Sequence, residues 1–164
     1  MTLTAGTDSE ALSWGPVPAH VTFDLRQRLL RPHEPVQAMA LSGDEDVSSG
    51  FFAVWRPGHP AAPLGVVSVR RQARVGHPED AWRLRGLAVV PSWQRAGLGS
   101  VLLRCVTEHV VRYGGRSVWC AVRTSAEDFY RKRGFVVRGE PFELPAIGRH
   151  VHMVCSLARP PVSP

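Results

Sequence analysis

The spacing of apolar and polar positions changes period about halfway along the chain. Near the start, Phe23, Leu29 and Leu30 fall on one side of a short amphipathic stretch, which predicts a helix capped by Thr22 and stopped by Pro32 and Pro35. Residues 36–41 and 51–55 predict extended segments on either side of the turn-rich Gly-Asp-Glu-Asp at 43–46. A second turn at 56–58 leads into the valine-rich residues 64–69, so this half predicts meandering antiparallel strands. Residues 82–90 predict a further strand ending at Pro91. From Leu98 to Tyr113 apolar residues recur at three- and four-residue steps, the mark of a long amphipathic helix, and Gly114-Gly115 supply its stop. Residues 117–122 predict the next strand, and strand, helix and strand with short connections make a right-handed parallel crossover. Thr124 and Glu127 fit a capping box for a short helix that carries Ala126, Phe129 and Tyr130 and ends at Gly134. Residues 135–137 and 151–157 complete a sheet. A single domain over residues 19–157 is expected, between tails at 1–18 and 158–164 that are rich in Thr, Ser, Gly and Pro.

Composition narrows the class without naming a function. A chain of 164 residues, 44% hydrophobic and 21% charged, has the make-up of one globular domain and excludes disorder throughout. Twenty basic residues against fourteen acidic ones give a net charge of +6, which points to an anionic partner. Nineteen of the twenty are Arg, Lys132 being the exception, and they are scattered instead of forming a block, so nucleic acid is disfavoured. Cys105, Cys120 and Cys155 have neither the number for a disulfide framework nor the spacing for zinc, and reduced, mostly buried thiols with no metal are expected. Residues 1–20 lack a secretory signal pattern, and no window approaches the roughly 18 apolar residues of a membrane span. A cytoplasmic protein without membrane attachment is the expectation.

The chemistry concentrates in Gln94-Arg95-Ala96-Gly97-Leu98-Gly99, between a predicted strand and the long helix. The first N–H groups of a helix lack intrahelical partners and lie at its positive end, so they can cradle a pyrophosphate that glycines let approach closely. A tight turn alone would also account for the two glycines. The P-loop pattern GxxxxGK(S/T) fails because the segment has no Lys. The dinucleotide pattern GxGxxG fails at Leu102, and Arg123 stands after the second strand where an acidic ribose partner would be needed.

Gln94, Gly97 and Gly99 resemble the acyl-coenzyme A loop of the GNAT N-acetyltransferase superfamily: Arg or Gln, two residues, Gly, one residue, Gly or Ala. LRGLAVVPSWQRAGLGSVLL is similar to that family's central strand, loop and helix, and AEDFYRKRGF to its later helix. LRQRLLRPHEP, GDED and GRHVHM further resemble a bacterial branch that includes ElaA-like proteins. The resemblance implies an α/β fold of GNAT type: a mixed, mostly antiparallel sheet with a central parallel strand-helix-strand crossover and flanking helices. It implies acetyl-coenzyme A as co-substrate, no metal, and transfer to an amine of a small molecule or peptide. It places the pantetheine arm along the main chain of Leu87, Ala88 and Val89, and the pyrophosphate on the amides of Arg95, Ala96, Gly97, Leu98, Gly99 and Ser100. Phe129 and Arg133 fall beside the same ligand.

Acyl transfer to an amine also needs a proton donor for the departing thiolate and a base for the amine. Tyr130 matches the family's acid, and a phenol with an ordinary pKa of about 10 keeps its proton at neutral pH; a core aromatic with a satisfied hydroxyl is the plainer alternative. His150 is the leading base and alternation places it on the same strand face as His152, with Glu140, Glu143 and the acidic residues at 44–46 as others more readily read as surface charge. Many relatives carry Asn where this chain has Arg123. An ion pair of Arg123 with Glu127 or Asp128, or solvation, is favoured over a role at the acceptor. A cysteine nucleophile is disfavoured, since no thiol has an evident activating partner. The competing readings are an NAD(P)-binding redox enzyme and a coenzyme A-binding sensor or nucleic-acid module without chemistry. An exposed sheet edge leaves a homodimer open.

Overall fold

A computed structural model describes residues 11–157; of the tails expected at 1–18 and 158–164, residues 1–10 and 158–164 lie outside it. Seven strands form one sheet: β1 (Ser13–Pro16), β2 (Gly50–Trp55), β3 (Gly65–Arg71), β4 (Trp82–Val89), β5 (Ser117–Arg123), β6 (Val136–Leu144) and β7 (Gly148–Ser156). Their spatial order is β1-β2-β3-β4-β5-β7-β6, antiparallel at every junction except β4–β5, which is parallel. Three helices flank it: α1 (Phe23–Leu30), α2 (Leu98–Arg112) and α3 (Glu127–Arg131). The expected mixed sheet with one parallel crossover is therefore present.

The two faces of the sheet bury different elements. The apolar stripe of α2, with Leu102, Val106 and Val110 fully buried, packs on Val54, Val67, Val69 and Leu84 in the main core. On the opposite face, Leu25 of α1 sits against Ala53, Val66 and Ala88, and Leu29 and Leu30 pack beside them. Gly114 ends α2 at φ 77°: its N–H bonds the Val111 carbonyl and that of Gly115 bonds Val110, which satisfies carbonyls that the helix leaves open. Gly115 also leaves no room for a side chain, since a Cβ there would collide with Val110 Cγ1 and lie 2.5 Å from Trp82 Nε1.

Several local expectations give way. Ser13–Pro16, expected within a tail, is a strand because it pairs with β2 over the register Ser13↔Trp55 to Pro16↔Phe52. With that edge taken, residues 36–41 have no strand position to fill; Val36–Met39 forms a 3-10 turn packed by Met39, following the extended Pro35. Neither expected side-chain cap forms. Thr22 Oγ1 donates to the Ala19 carbonyl at 2.8 Å, because α1 continues from the 3-10 turn Ala19–Thr22, and α3 is likewise preceded by the 3-10 turn Thr124–Ala126.

The feature that matters for function lies in the middle of the sheet. Between Val66↔Ala88 and Ser68↔Arg85, β3 advances two residues while β4 advances three, so β4 carries a bulge at Gly86-Leu87, with Gly86 at φ 62°. The bulge reverses the facing of the side chains, putting Leu84 and Leu87 with the α2 core while Arg85 and Ala88 face α1. Beyond it, β4 and β5 part: their parallel pairing is recorded only at Arg83↔Trp119. A wedge therefore opens toward the C-terminal ends of both strands, where β4 keeps β3 on one side but has no strand on its β5 side.

Candidate active site

Two cavities meet at this wedge. The larger, of about 1050 Å³, runs along Leu87, Ala88 and Val89 of β4, past the loop at Gln94, Arg95, Gly97, Gly99 and Ser100, and is closed on the other side by Phe129, Lys132 and Arg133. The smaller, of about 240 Å³, lies under α1 and is bounded by Arg26, Arg31, Glu34, Arg85, His150 and other side chains. Leu30, Leu87, Arg123, Ala126 and Tyr130 line both, forming a shared wall.

The loop owes its shape to two left-handed residues, Arg95 at φ 62° and Gly97 at φ 89°, the second serving as the N-terminal boundary of α2 without any side-chain cap. The opening amides of a 15-residue helix thus remain uncommitted at its positive end, facing the larger cavity. Gln94 Nε2 donates to the Val89 carbonyl at 3.2 Å and ties the loop back to β4. Gly99 is required by contact, since a Cβ there would sit 2.8 Å from Phe129 Cζ. Arg133 lies 3.8 Å over the Phe129 ring and donates to Ser100 Oγ at 2.7 Å and to the Phe129 carbonyl at 2.7 Å, locking α3 to the start of α2. Of the expected ligand-binding residues, Ala96 and Leu98 present no side chain to the cavity; Leu98 is buried in the main core and only its amide is available.

Tyr130 stands on the shared wall, 7% exposed, with its ring edge-on to Phe129 and Phe135 at 5.1 and 5.3 Å. Burial, with a smaller contribution from Cys120, pushes its phenol well above the ordinary value, so it holds its proton throughout the neutral range. His150 opens onto the smaller cavity. It is 5% exposed, and its Nδ1 lies 2.7 Å from the Gly148 carbonyl, which makes Nδ1 the donor and leaves Nε2 with the lone pair in the neutral ring. His152 occurs on the same face of β7, but edge-on to Trp119 and away from both cavities. Glu140, Glu143 and the acidic residues at 44–46 line neither cavity.

Arg123 forms neither of the expected ion pairs, although it is exposed. Its Nη2 donates to the Leu30 carbonyl at 3.0 Å, joining the end of β5 to the end of α1, and Glu127 is taken by Arg131. All three thiols are pushed up by burial, Cys120 furthest, so none is a ready thiolate. Sequence reasoning missed Arg26, Arg31 and Arg85. The one signal for their setting was the lone glycine in the strand segment Arg85-Gly86-Leu87, a mark of a bulge or a close backbone approach. Gly86 is indeed covered by Arg26: a Cβ there would meet Arg26 Nε at 2.4 Å.

Comparison with known proteins agrees with this geometry. The family described as acetyltransferase (GNAT) domain matches residues 33–157. The uncharacterized N-acetyltransferase YitI of Bacillus subtilis (strain 168) is 30% identical over 137 residues, covering 83% of this chain and 90% of that protein. Among solved structures, an acetyltransferase of the GNAT family from Staphylococcus aureus Mu50 aligns with a TM-score of 0.67 at 12% identity, over 90% of this chain and 100% of the other. An aminoglycoside 6'-N-acetyltransferase complexed with coenzyme A aligns at 0.65 and 16% identity, over 90% and 99%. At those identities the structures speak for the fold alone. They displace the nicotinamide reading together with the sequence match. No described helix is long and apolar enough to cross a membrane. The chain belongs to the GNAT acetyltransferase family, and is an acyl-coenzyme A-dependent N-acyltransferase.

Proposed function

We propose that the protein moves an acetyl group from acetyl-coenzyme A directly to the amine of a small acceptor, with Tyr130 as the acid and His150 as the base. The observation that carries this reading is the position of Tyr130 on the wall between the two cavities. The larger cavity suits coenzyme A: the α2 amides and the Arg95 to Ser100 loop would hold the pyrophosphate, and the open main chain of Leu87 to Val89 would pair with the pantetheine arm. Phe129 and Arg133 brace the opposite side. The smaller cavity takes the acceptor.

In this reading the new N–C bond forms as the C–S bond breaks. The amine gives up a proton to His150 Nε2, directly or through water, while the phenolic proton of Tyr130 goes to the leaving sulfur. A phenol held above its ordinary pKa suits an acid that must not ionise before the step. Raised thiol values at Cys105, Cys120 and Cys155 favour direct transfer over a thioester on the enzyme. The test is thiol release from acetyl-coenzyme A over an amine panel. Tyr130→Phe is expected to lower kcat roughly 100-fold while the Kd for coenzyme A barely moves; full turnover in that variant across pH removes Tyr130 from the role.

A further inference from the structure

The cavity under α1 gathers more positive charge than the protein balances. Its wall carries the guanidinium groups of Arg26, Arg31, Arg85 and Arg123 against one carboxylate, Glu34, which already lies 3.1 Å from Arg31. Arg123 is engaged by the Leu30 carbonyl. Arg26 is only 5% exposed, and its hydrogen bond goes to a neutral hydroxyl, Thr22 Oγ1, at a long 3.4 Å. Asp44 is the one acidic group near enough to favour its charge, and Asp44 is itself bonded to the Leu41 amide. Arg85 has no hydrogen-bond acceptor or carboxylate partner among the described residues. Behind it Arg83 stacks 4.6 Å over Trp119, with its buried Nε unpartnered. Burial and four neighbouring arginines push Arg85 down to about 9.

Guanidinium groups gathered around one cavity with a single carboxylate among them work against the stability of the free protein. An entering oxyanion relieves that opposition, and paired guanidinium forks suit carboxylate or phosphate geometry. We propose that the acceptor is a small amine bearing its own oxyanion, a carboxylate or phosphate, held by Arg85 and Arg26 so that its amino group lies toward Tyr130 and His150. This inference rests on the transfer reading above and narrows it. A cavity of about 240 Å³ fits a metabolite better than a folded protein's tail. Polyamines and other multiply cationic acceptors meet like charge here and are excluded.

The experiment measures thiol release with matched pairs, leucine against leucinamide and 2-aminoethylphosphate against ethanolamine, with spermidine as the cationic comparison. For at least one pair the anionic member is expected to have kcat/KM roughly 10- to 100-fold higher, and which pair responds identifies the oxyanion. Arg85→Gln is expected to erase that preference through KM, to leave coenzyme A affinity unchanged, and to melt no lower than the parent protein. Arg85→Lys retains part of the preference and serves if the Gln variant misfolds. Equal or better turnover of the uncharged or cationic members, or a preference that survives Arg85→Gln, overturns the inference while leaving acetyl transfer standing. If no amine releases thiol, the transfer reading fails instead. Calorimetric titration of leucine and 2-aminoethylphosphate into the coenzyme A-loaded protein then decides the pocket: binding heat lost in Arg85→Gln upholds the anion site, and no heat overturns it.

Discussion

Gly86 holds three functions in one position. Its φ of 62° shapes the bulge, its lack of a side chain admits Arg26, and its place in β4 sets the opening of the wedge. An alanine here would be strained by roughly 1–2 kcal/mol in the left-handed region, and its Cβ would displace the Arg26 side chain. Gly86→Ala is expected to lower the melting temperature by about 5 °C in a domain of this size, checked by calorimetry, and to weaken acceptor binding more than coenzyme A binding. How much of this the sequence reveals differs from residue to residue. Gln94, Gly97 and Gly99 are close together in the chain, so their spacing alone suggests an anion-binding loop. Arg26 and Arg31 are just as close, but Arg85 lies far along the chain, and it joins them only because α1 crosses the bulged part of β4. In the sequence alone the three are indistinguishable from solvated surface charge.

The elements divide along the same line. Helix α2 is legible because its three- and four-residue period and its glycine stop are local properties, and so is the crossover it makes between β4 and β5. Strand β1 is not, because Ser-Trp-Gly-Pro becomes a strand only through the free edge of β2, and residues 36–41 lose strand character for the complementary reason. The parting of β4 from β5 is likewise invisible in either strand alone. It has a measurable consequence in hydrogen exchange. The Leu87–Val89 stretch, without a β5 partner, is expected to exchange faster than the Trp82–Leu84 end of the same strand in the free protein, and to slow on addition of coenzyme A. If coenzyme A leaves that exchange unchanged, the pantetheine arm does not lie along β4.

Across the whole molecule the excess of +6 divides into parts with different roles. Some arginines are structural, such as Arg74 in its buried pair with Asp80 at 2.8 Å and Arg71 over Trp82 at 4.8 Å, while the α1 cavity gathers Arg26, Arg31, Arg85 and Arg123 around the one carboxylate of Glu34. The same field reaches His152, whose ring is pushed below its ordinary value by burial first, then by Arg74 and Arg83. The unfolded chain therefore takes up a proton near pH 6.5 that the folded protein refuses. Stability is full above that pH and declines as pH falls through it toward the folded value. His152→Gln is expected to flatten the decline in melting temperature between pH 7 and about 5.5 relative to the parent; identical slopes would assign the acid sensitivity elsewhere.

In the proposed transfer the two ligands share the wall of Leu30, Leu87, Arg123, Ala126 and Tyr130, which makes them immediate neighbours. Tethering therefore becomes favourable. A coenzyme A thioether joined by a short bridge to the nitrogen of an anionic amine would occupy both cavities at once, its second half binding at an effective concentration of order millimolar and gaining about 100- to 10,000-fold in avidity over either half. Such a conjugate would also hold the wedge between β4 and β5 in its occupied form, turning a gap in the sheet into a handle for trapping the enzyme.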